Sequence, residues 1–237
     1  EGDRSSDDDY GIWSGNSNNG TCSGTSCPTW NSSGKYGGAM QFDGVNDYVT
    51  LSSLPTSGTG NFSVFSWVKT MNTGVRKAIV SYGDGDTNKA YFLYISVANS
   101  VKVDLSNVGG PSSSSTVTDN SWHLVGSVYN GNVMQVYVDG FASGSSQAMS
   151  PNITSGSYSQ TIGTGGFLFN GSIDAVQIWN RSLSAAEINQ LYMSNLYKYN
   201  STQWYLYVNQ SKNATAGLDQ GRYTYFASAK DVSGNEN

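Results

Sequence analysis

The chain is a succession of short segments in which apolar and polar residues alternate, divided by clusters of Gly, Ser, Asn and Asp. MQFDG, DYVTL, NFSVFSWVK, KAIVSYG, AYFLYISV, SVKVDLS, SWHLVGSVY, NVMQVYVDG, SQTIG and GSIDAVQIW follow one another in this way. A period of two sets one row of side chains on each side of an extended backbone, so most of these segments predict strands with one buried and one wetter face. NFSVFSWVK differs: Phe62, Val64, Ser66 and Val68 share one phase, and Phe65 and Trp67 occupy the other. That strand is predicted to be buried on both sides. Asn130-Gly131 and Asp139-Gly140 flank NVMQVYVDG and predict hairpin turns of the primed types, which makes the middle of the chain an antiparallel meander.

One segment, SLSAAEINQLYMS, changes period. Ser184 and Glu187 have the spacing of a capping box, and Leu183 with Ile188 has that of a hydrophobic staple, so a helix is predicted to begin at Ala185. Ile188 and Leu191 would dock it on a sheet. Such a helix closes a domain and carries no chemistry.

Composition agrees with an all-β chain. Charged residues make up only 12% and aromatics 13% of the 237 residues, a length that suits one large sandwich or one sandwich with a small partner. The net charge of −5 and the scattered placement of the 12 Lys and Arg argue against a nucleic-acid partner. The longest apolar runs, such as AYFLYISVA, fall short of the roughly 20 residues of a membrane helix, so no membrane insertion is expected within this segment. The opening EGDRSSDDDY, without leader or initiator Met, is what a processed protein or an excised piece of a longer one would show.

Cys22 and Cys27 in CSGTSC can close a small disulfide ring in an oxidising compartment; the alternative is two free thiols. A metal pair is disfavoured, because no second Cys or His pair completes a tetrahedral site and His123 is the only histidine. Asn19, Asn31, Asn61, Asn152, Asn170, Asn180, Asn200, Asn209 and Asn213 stand in N-x-S/T sequons. Together these features suggest an extracellular or cell-surface glycoprotein, with unmodified polar turns as the alternative.

FDGVNDYV near the start, SVFSWVK, SWHLVGSVYNGNVMQVYVDG in the middle and FNGSIDAVQIWNRSLSAAEINQLY at the end resemble, in order and spacing over about residues 10 to 193, the laminin-G-like, concanavalin A-like jelly roll. The resemblance implies two stacked antiparallel sheets of about a dozen to fourteen strands. It implies a module that binds carbohydrate or protein or serves as an adhesive spacer, and it implies a structural calcium, with Asp43 near the start and Asp174 in the penultimate strand as its acids. The alternative for Asp43, Asp47 and Asp174 is hydrogen bonding within their own turns. No organic cofactor is expected.

A glucanase with this fold would need two carboxylates about 5 to 10 Å apart. Of the three Glu, Glu1 and Glu236 are near the ends and Glu187 belongs to the helix cap; Asp84 and Asp86 lie in a Gly-rich turn. No catalytic residue is therefore assigned, and His123 is read as a partly exposed sheet residue. Tyr82, Tyr91 and Trp122 are candidate platforms for stacking on sugars, although aromatics at strand positions are more often core.

The domain thus spans 1–193. The remainder, 194–237, offers two alternating segments, QWYLYVN and GRYTYFASA, and resembles the closing half of an immunoglobulin-like or fibronectin-like module whose last strand is missing. A lone hairpin is marginal in water, so packing on the jelly roll, a flanking domain of the same protein or strand addition from a neighbouring copy is expected to complete it. The expected function is a non-enzymatic structural or adhesive role, as a unit of a longer surface chain or of a self-assembling filament. The alternative is a lectin-like module whose partners are glycans.

Overall fold

The computed structural model describes residues 20–36, 38–51, 60–71, 74–82, 91–105, 109–149, 160–193, 196–198 and 204–206. The chain divides into two units, Glu1–Tyr207 and Val208–Asn237, and all described residues belong to the first.

The first strands are β1 (Gly20–Thr21), β2 (Thr29–Asn31), β3 (Ala39–Asp43), β4 (Val49–Leu51), β5 (Phe62–Lys69), β6 (Lys77–Tyr82), β7 (Tyr91–Ile95) and β8 (Ser100–Leu105). They are followed by β9 (Ser112–Thr116), β10 (His123–Tyr129), β11 (Val133–Val138), β12 (Phe141–Ala142), β13 (Gln147–Ala148), β14 (Gln160–Ile162) and β15 (Asn170–Trp179). One helix, α1, covers Ala185–Met193, and the short strands β16 (Leu196–Lys198) and β17 (Trp204–Leu206) pair with each other. Two antiparallel sheets result, ordered β1-β4-β14-β6-β7-β8-β9 and β12-β11-β10-β5-β15-β3-β2, with β13 also on β11. Among the described residues no helix is long and apolar enough to cross a membrane.

The expected alternation of buried and wetter positions holds along β11 and the first half of β8, whereas β6, β7 and nearly all of β10 are buried on both faces, as β5 is, because each lies inside its sheet with covered faces. Val64 and Val68 of β5, Leu93 of β7, Val103 of β8, Val125 of β10 and Ile173 of β15 meet between the sheets, each almost completely removed from water. Burial of such a side chain stabilises by about 1.5–3 kcal/mol. The other phase of β5 is buried as well: Phe65 and Trp67 join Leu124, Val128, Leu183 and Ile188 in a second cluster under α1. Here the capping box forms as expected, with the Ser184 N–H donating to Glu187 Oε2 at 2.8 Å and the Glu187 N–H to Ser184 Oγ at 3.3 Å. Leu183 and Ile188 both enter the cluster, as the staple requires.

Both predicted hairpin turns have the backbone signs of primed types. Asp139 and Gly140 both have positive φ, +52° and +86°, between β11 and β12, as type I′ requires. Between β10 and β11 the Asn130 N–H donates to the Val133 carbonyl, and the loop Gly131-Asn132 has positive φ at Gly131 alone, as type II′ requires; the Asn130 carboxamide oxygen accepts from the Asn132 and Val133 N–H groups as well. In the tail, Trp204–Leu206 pairs with Leu196–Lys198, a segment without an alternating signal. GRYTYFASA lies outside the described residues.

Candidate functional site

Along the outer face of the eight-stranded sheet the side-chain character changes over a short distance. In β5 the outward phase runs Phe65, Trp67, Lys69; the ladder sets Lys69 opposite Ser172 of β15, and Ser172 opposite Gln41 of β3. These three polar residues form the floor of a recess of about 280 Å3. Asn31 and Ser33 from β2 and its exit wall it on one side, and Asn170, Thr70, Met71 and Asn120 on the other.

Part of this polar surface is spent on the fold. Ser172 Oγ donates to Gln41 Oε1 at 2.6 Å, Thr70 Oγ1 to the Asn170 carbonyl at 2.5 Å, and Asn170 Nδ2 to the Asp43 carbonyl at 2.6 Å. Gly171 follows with φ +137°, where a Cβ would collide with the Lys69 carbonyl, so only glycine lets β15 approach β5 this closely. The remaining groups face outward. The Lys69 ammonium, Asn31 Nδ2 and the Asn120 carboxamide make no hydrogen bond or ion pair with another described residue.

The acids expected to share a calcium do not come together. Asp43 pairs with Asn170, which leaves Asp174 four residues further along β15, about 13 Å away at strand rise. Asp43 Oδ1 accepts from the Val45 and Asn46 N–H groups, which hold its carboxyl below the usual range, and Asp47 Oδ2 accepts from the Asp43 N–H at 2.8 Å. FDGVND is thus a self-satisfied turn. Asp174 serves another purpose. Its carboxylate accepts from the Tyr36 N–H at 2.9 Å and from the backbone of Lys35 and Ala175, beside a β-bulge where Ala175 takes φ +47°. Burial pushes its carboxyl up to about 6 despite these donors. The Lys35 ammonium, nearby, lies 4.0 Å from the centre of the Trp67 ring. Asp43 and Asp174 therefore do not fit one calcium ion, and among the described residues no three His, Cys, Asp or Glu side chains form a metal-sized group.

His123 has partners that the linear sequence did not suggest. Nδ1 is 2.8 Å from Asp139 Oδ2 and Nε2 is 3.0 Å from Asp119 Oδ1, and the hydrogen bond to Asp139 is the main cause that raises the imidazole pKa, with Asp119 adding to it. Asp139 Oδ1 also accepts from the Leu124 N–H. An imidazole occupied on both nitrogens by carboxylates is a clamp between β10, the β11–β12 turn and the 119–120 segment, with no ring nitrogen left to activate a nucleophile. The same clamp supports the recess, since the Asn120 N–H donates to the Thr70 carbonyl and Met71 bridges Asp119.

The proposed stacking aromatics are placed differently. Tyr82 and Tyr91 are buried between the sheets, where Tyr91 Oη lies 2.9 Å from Ser127 Oγ of the facing sheet, and Trp122 packs against the cluster under α1. The large aromatic open to solvent near β3 is Trp30, 51% exposed, whose ring lies so close to Gly38 that a Cβ there would collide with it. Cys22 and Cys27 form the expected disulfide around the turn Gly24–Ser26. Of the sequon asparagines, Asn61, Asn170 and Asn180 are exposed and Asn31 is half-buried; Asn19, Asn152, Asn200, Asn209 and Asn213 lie outside the described residues, as do Asp84 and Asp86.

The recess residues were hard to find from sequence alone. Alternation assigns Gln41, Lys69 and Ser172 to outward phases, but the three are over 100 residues apart between their extremes, and only the strand order β5-β15-β3 joins them.

Comparison with known proteins agrees with this architecture. Domain 4 of AbnA, an extracellular GH43 arabinanase from Geobacillus stearothermophilus, solved in complex with arabinotriose, superposes with a TM-score of 0.56 at 18% identity, over 71% of this chain and 82% of that one. The binding domain of Paraclostridial Mosquitocidal Protein 1 gives 0.57 at 15% identity over 80% of this chain and 53% of that one. A SAP-like pentraxin from Limulus polyphemus gives 0.50 at 14%, over 64% and 80%. At these identities the likeness is one of fold. No curated protein matches the chain at a significant level. The family profile described as the concanavalin A-like lectin/glucanases superfamily matches residues 43–189, more than half of the chain. The chain belongs to that superfamily, as a laminin-G-like jelly-roll domain.

Proposed function

We propose that the chain is a non-catalytic adhesive module of an extracellular surface and that it recognises carbohydrate through the recess on β3, β15 and β5. The observation that carries this reading is the set of groups lining the recess without a hydrogen-bond partner among the described residues: the Lys69 ammonium and the Asn120 carboxamide, beside an exposed thioether at Met71. Sugars present hydroxyls that both donate and accept, and carboxamides match both roles. A recess of about 280 Å3 lies at the small end of ligand sites, suited to one ring or a chain end. The disulfide fits an oxidising compartment. AbnA domain 4 with its arabinotriose is a fold-level analogy for saccharide binding on such a sandwich.

The absence of catalysis is part of the proposal. It is supported by the engagement of acids among the described residues: Glu187 caps α1 and pairs with Arg181 at 2.7 Å, Asp174 is held by backbone donors, Asp104 accepts from Tyr94 Oη, and Asp119 and Asp139 hold His123.

A glycan array probed with the intact chain tests the reading. Retention of a defined subset of glycans, weakened in Asn120→Gly at unchanged melting temperature, is the expected result, since glycine suits the positive φ of that position (+64°) and removes only the carboxamide. An array on which nothing is retained would remove it.

A second reading, assembly through strand addition, is favoured by the β16–β17 pair, because a two-stranded sheet has marginal stability by itself and no other described strand pairs with its edges. Electron microscopy of native material distinguishes the two: ordered polymers support assembly, whereas discrete particles leave the module as a binder alone.

A further inference from the structure

We infer that the recess selects saccharides carrying an anionic substituent, a carboxylate or a sulfate ester, and that Lys69 is the residue that makes the selection. This rests on the recess being a carbohydrate site and names the class of sugar it takes. Lys69 ends β5, where its neighbours across the ladder are Ser172 and, one strand further, Gln41, all neutral. Among the described residues no carboxylate lines the recess. The two acids attached to its walls are committed elsewhere: Asp43, beside Asn170, accepts from the N–H groups of its own turn, and Asp119, beside Asn120, holds His123. The ammonium is therefore an uncompensated point charge with three donors and no acceptor, set among groups that can bind hydroxyls.

The surroundings give that charge its meaning. The whole chain has a net charge of −5, so its long-range field repels polyanions instead of gathering them. Any preference for an acidic glycan must then arise locally, from a short ligand that places one anionic group at Lys69. The Asn120 carboxamide is available to a flanking hydroxyl, and Met71, 60% exposed, offers an apolar rim to the C–H face of a ring. Recognition by one ammonium in a half-open recess should change affinity by about tenfold, and it should weaken with salt only as a single ion contact does.

The test is an array carrying uronate-bearing oligosaccharides, sulfated oligosaccharides and the neutral parent of each, the uronates being matched by their carboxyl-reduced forms. It is probed with the intact wild-type chain and with Lys69→Gln, Lys69→Arg and, as a control on the other sheet, Lys102→Gln. The expected result is acidic glycans retained about tenfold more strongly than their neutral parents, with the difference abolished by Lys69→Gln, kept by Lys69→Arg and untouched by Lys102→Gln. Retention of only the carboxylated or only the sulfated series supports the inference and identifies the anionic group. Glycans bound with no acidic preference, or with a preference that survives Lys69→Gln, overturn the inference and leave carbohydrate binding standing. An array with no glycan retained overturns both.

Discussion

On the outer face of the eight-stranded sheet, Phe65 and Trp67 lie under α1 with about 1% of their surface exposed, whereas Lys69, next in the same phase of the same strand, opens onto the polar recess. β15 shows the same change: Asp174 is drawn into a half-buried network with Tyr36 and Lys35, and Ser172 faces the recess. One half of the face was roofed by a helix and filled with aromatics, including Trp67 stacked on Tyr192 at 5.7 Å. The other half carries amides, a hydroxyl and an amine that can remain hydrated. The difference shows where stability and recognition reside in this domain. Removing a roofed residue should damage the fold with no specific effect on a ligand, and removing a recess group without a bond to the fold, such as the Lys69 ammonium, should do the reverse.

The sharpest test of that contrast is Phe65→Ala, which should lower unfolding free energy by about 3–5 kcal/mol in a denaturant titration, because the sheet and α1 cannot close around the lost ring. A loss below about 1 kcal/mol would mean that α1 is not firmly docked. Asp174→Asn should change stability at neutral pH by no more than about 1 kcal/mol, since removal of a charge that burial disfavours offsets the N–H donors the amide cannot satisfy. Its pH dependence provides a second check. The folded carboxyl titrates at about 6, above the ordinary value, so the stability it contributes is complete below about pH 4 and is lost as pH rises through 6. In wild type, melting temperature should fall over that window, and the fall should be smaller in Asp174→Asn.

His123 acts in the next window. Its pKa is raised, so the clamp's contribution is complete below the ordinary histidine value near 6.5 and is lost as pH rises through the higher folded value. His123→Gln should flatten the melting profile above pH 6.5 and leave the Asp174 window unchanged; an identical alkaline slope in both proteins would show that the clamp does not matter to stability. The smallest stability effect is expected for Lys69→Gln, within about 0.5 kcal/mol, as for a polar residue whose side chain has no hydrogen-bond or ion-pair partner among the described residues. A large loss of stability there would make Lys69 part of the fold and erase the contrast.

The strands with strong alternation were legible in advance, as were the double burial of β5, the start of α1 at Ala185 and the disulfide. Strands without an apolar signal were not. β9 reads Ser112-Ser-Ser-Ser-Thr116, and it is a strand because β8 offers it a ladder and Ser143 Oγ satisfies the Ser114 and Ser115 N–H groups. Tyr91 was ambiguous for a related reason: a tyrosine suits a wet face as well as a core, and the partner that makes its burial possible, Ser127, is 36 residues away.

What the sequence determined by itself is local: the phase of each strand, the helix cap, the turn chemistry of FDGVND and the ring at Cys22 and Cys27. These depend on interactions within a few residues, which the linear order contains. The tertiary structure alone decided that Asp43 and Asp174 stand about 13 Å apart, that His123 sits between Asp119 and Asp139, and that Gln41, Lys69 and Ser172 share one recess. Strand order and register set those distances, and they follow from how two whole sheets pack together, which no short window of sequence contains.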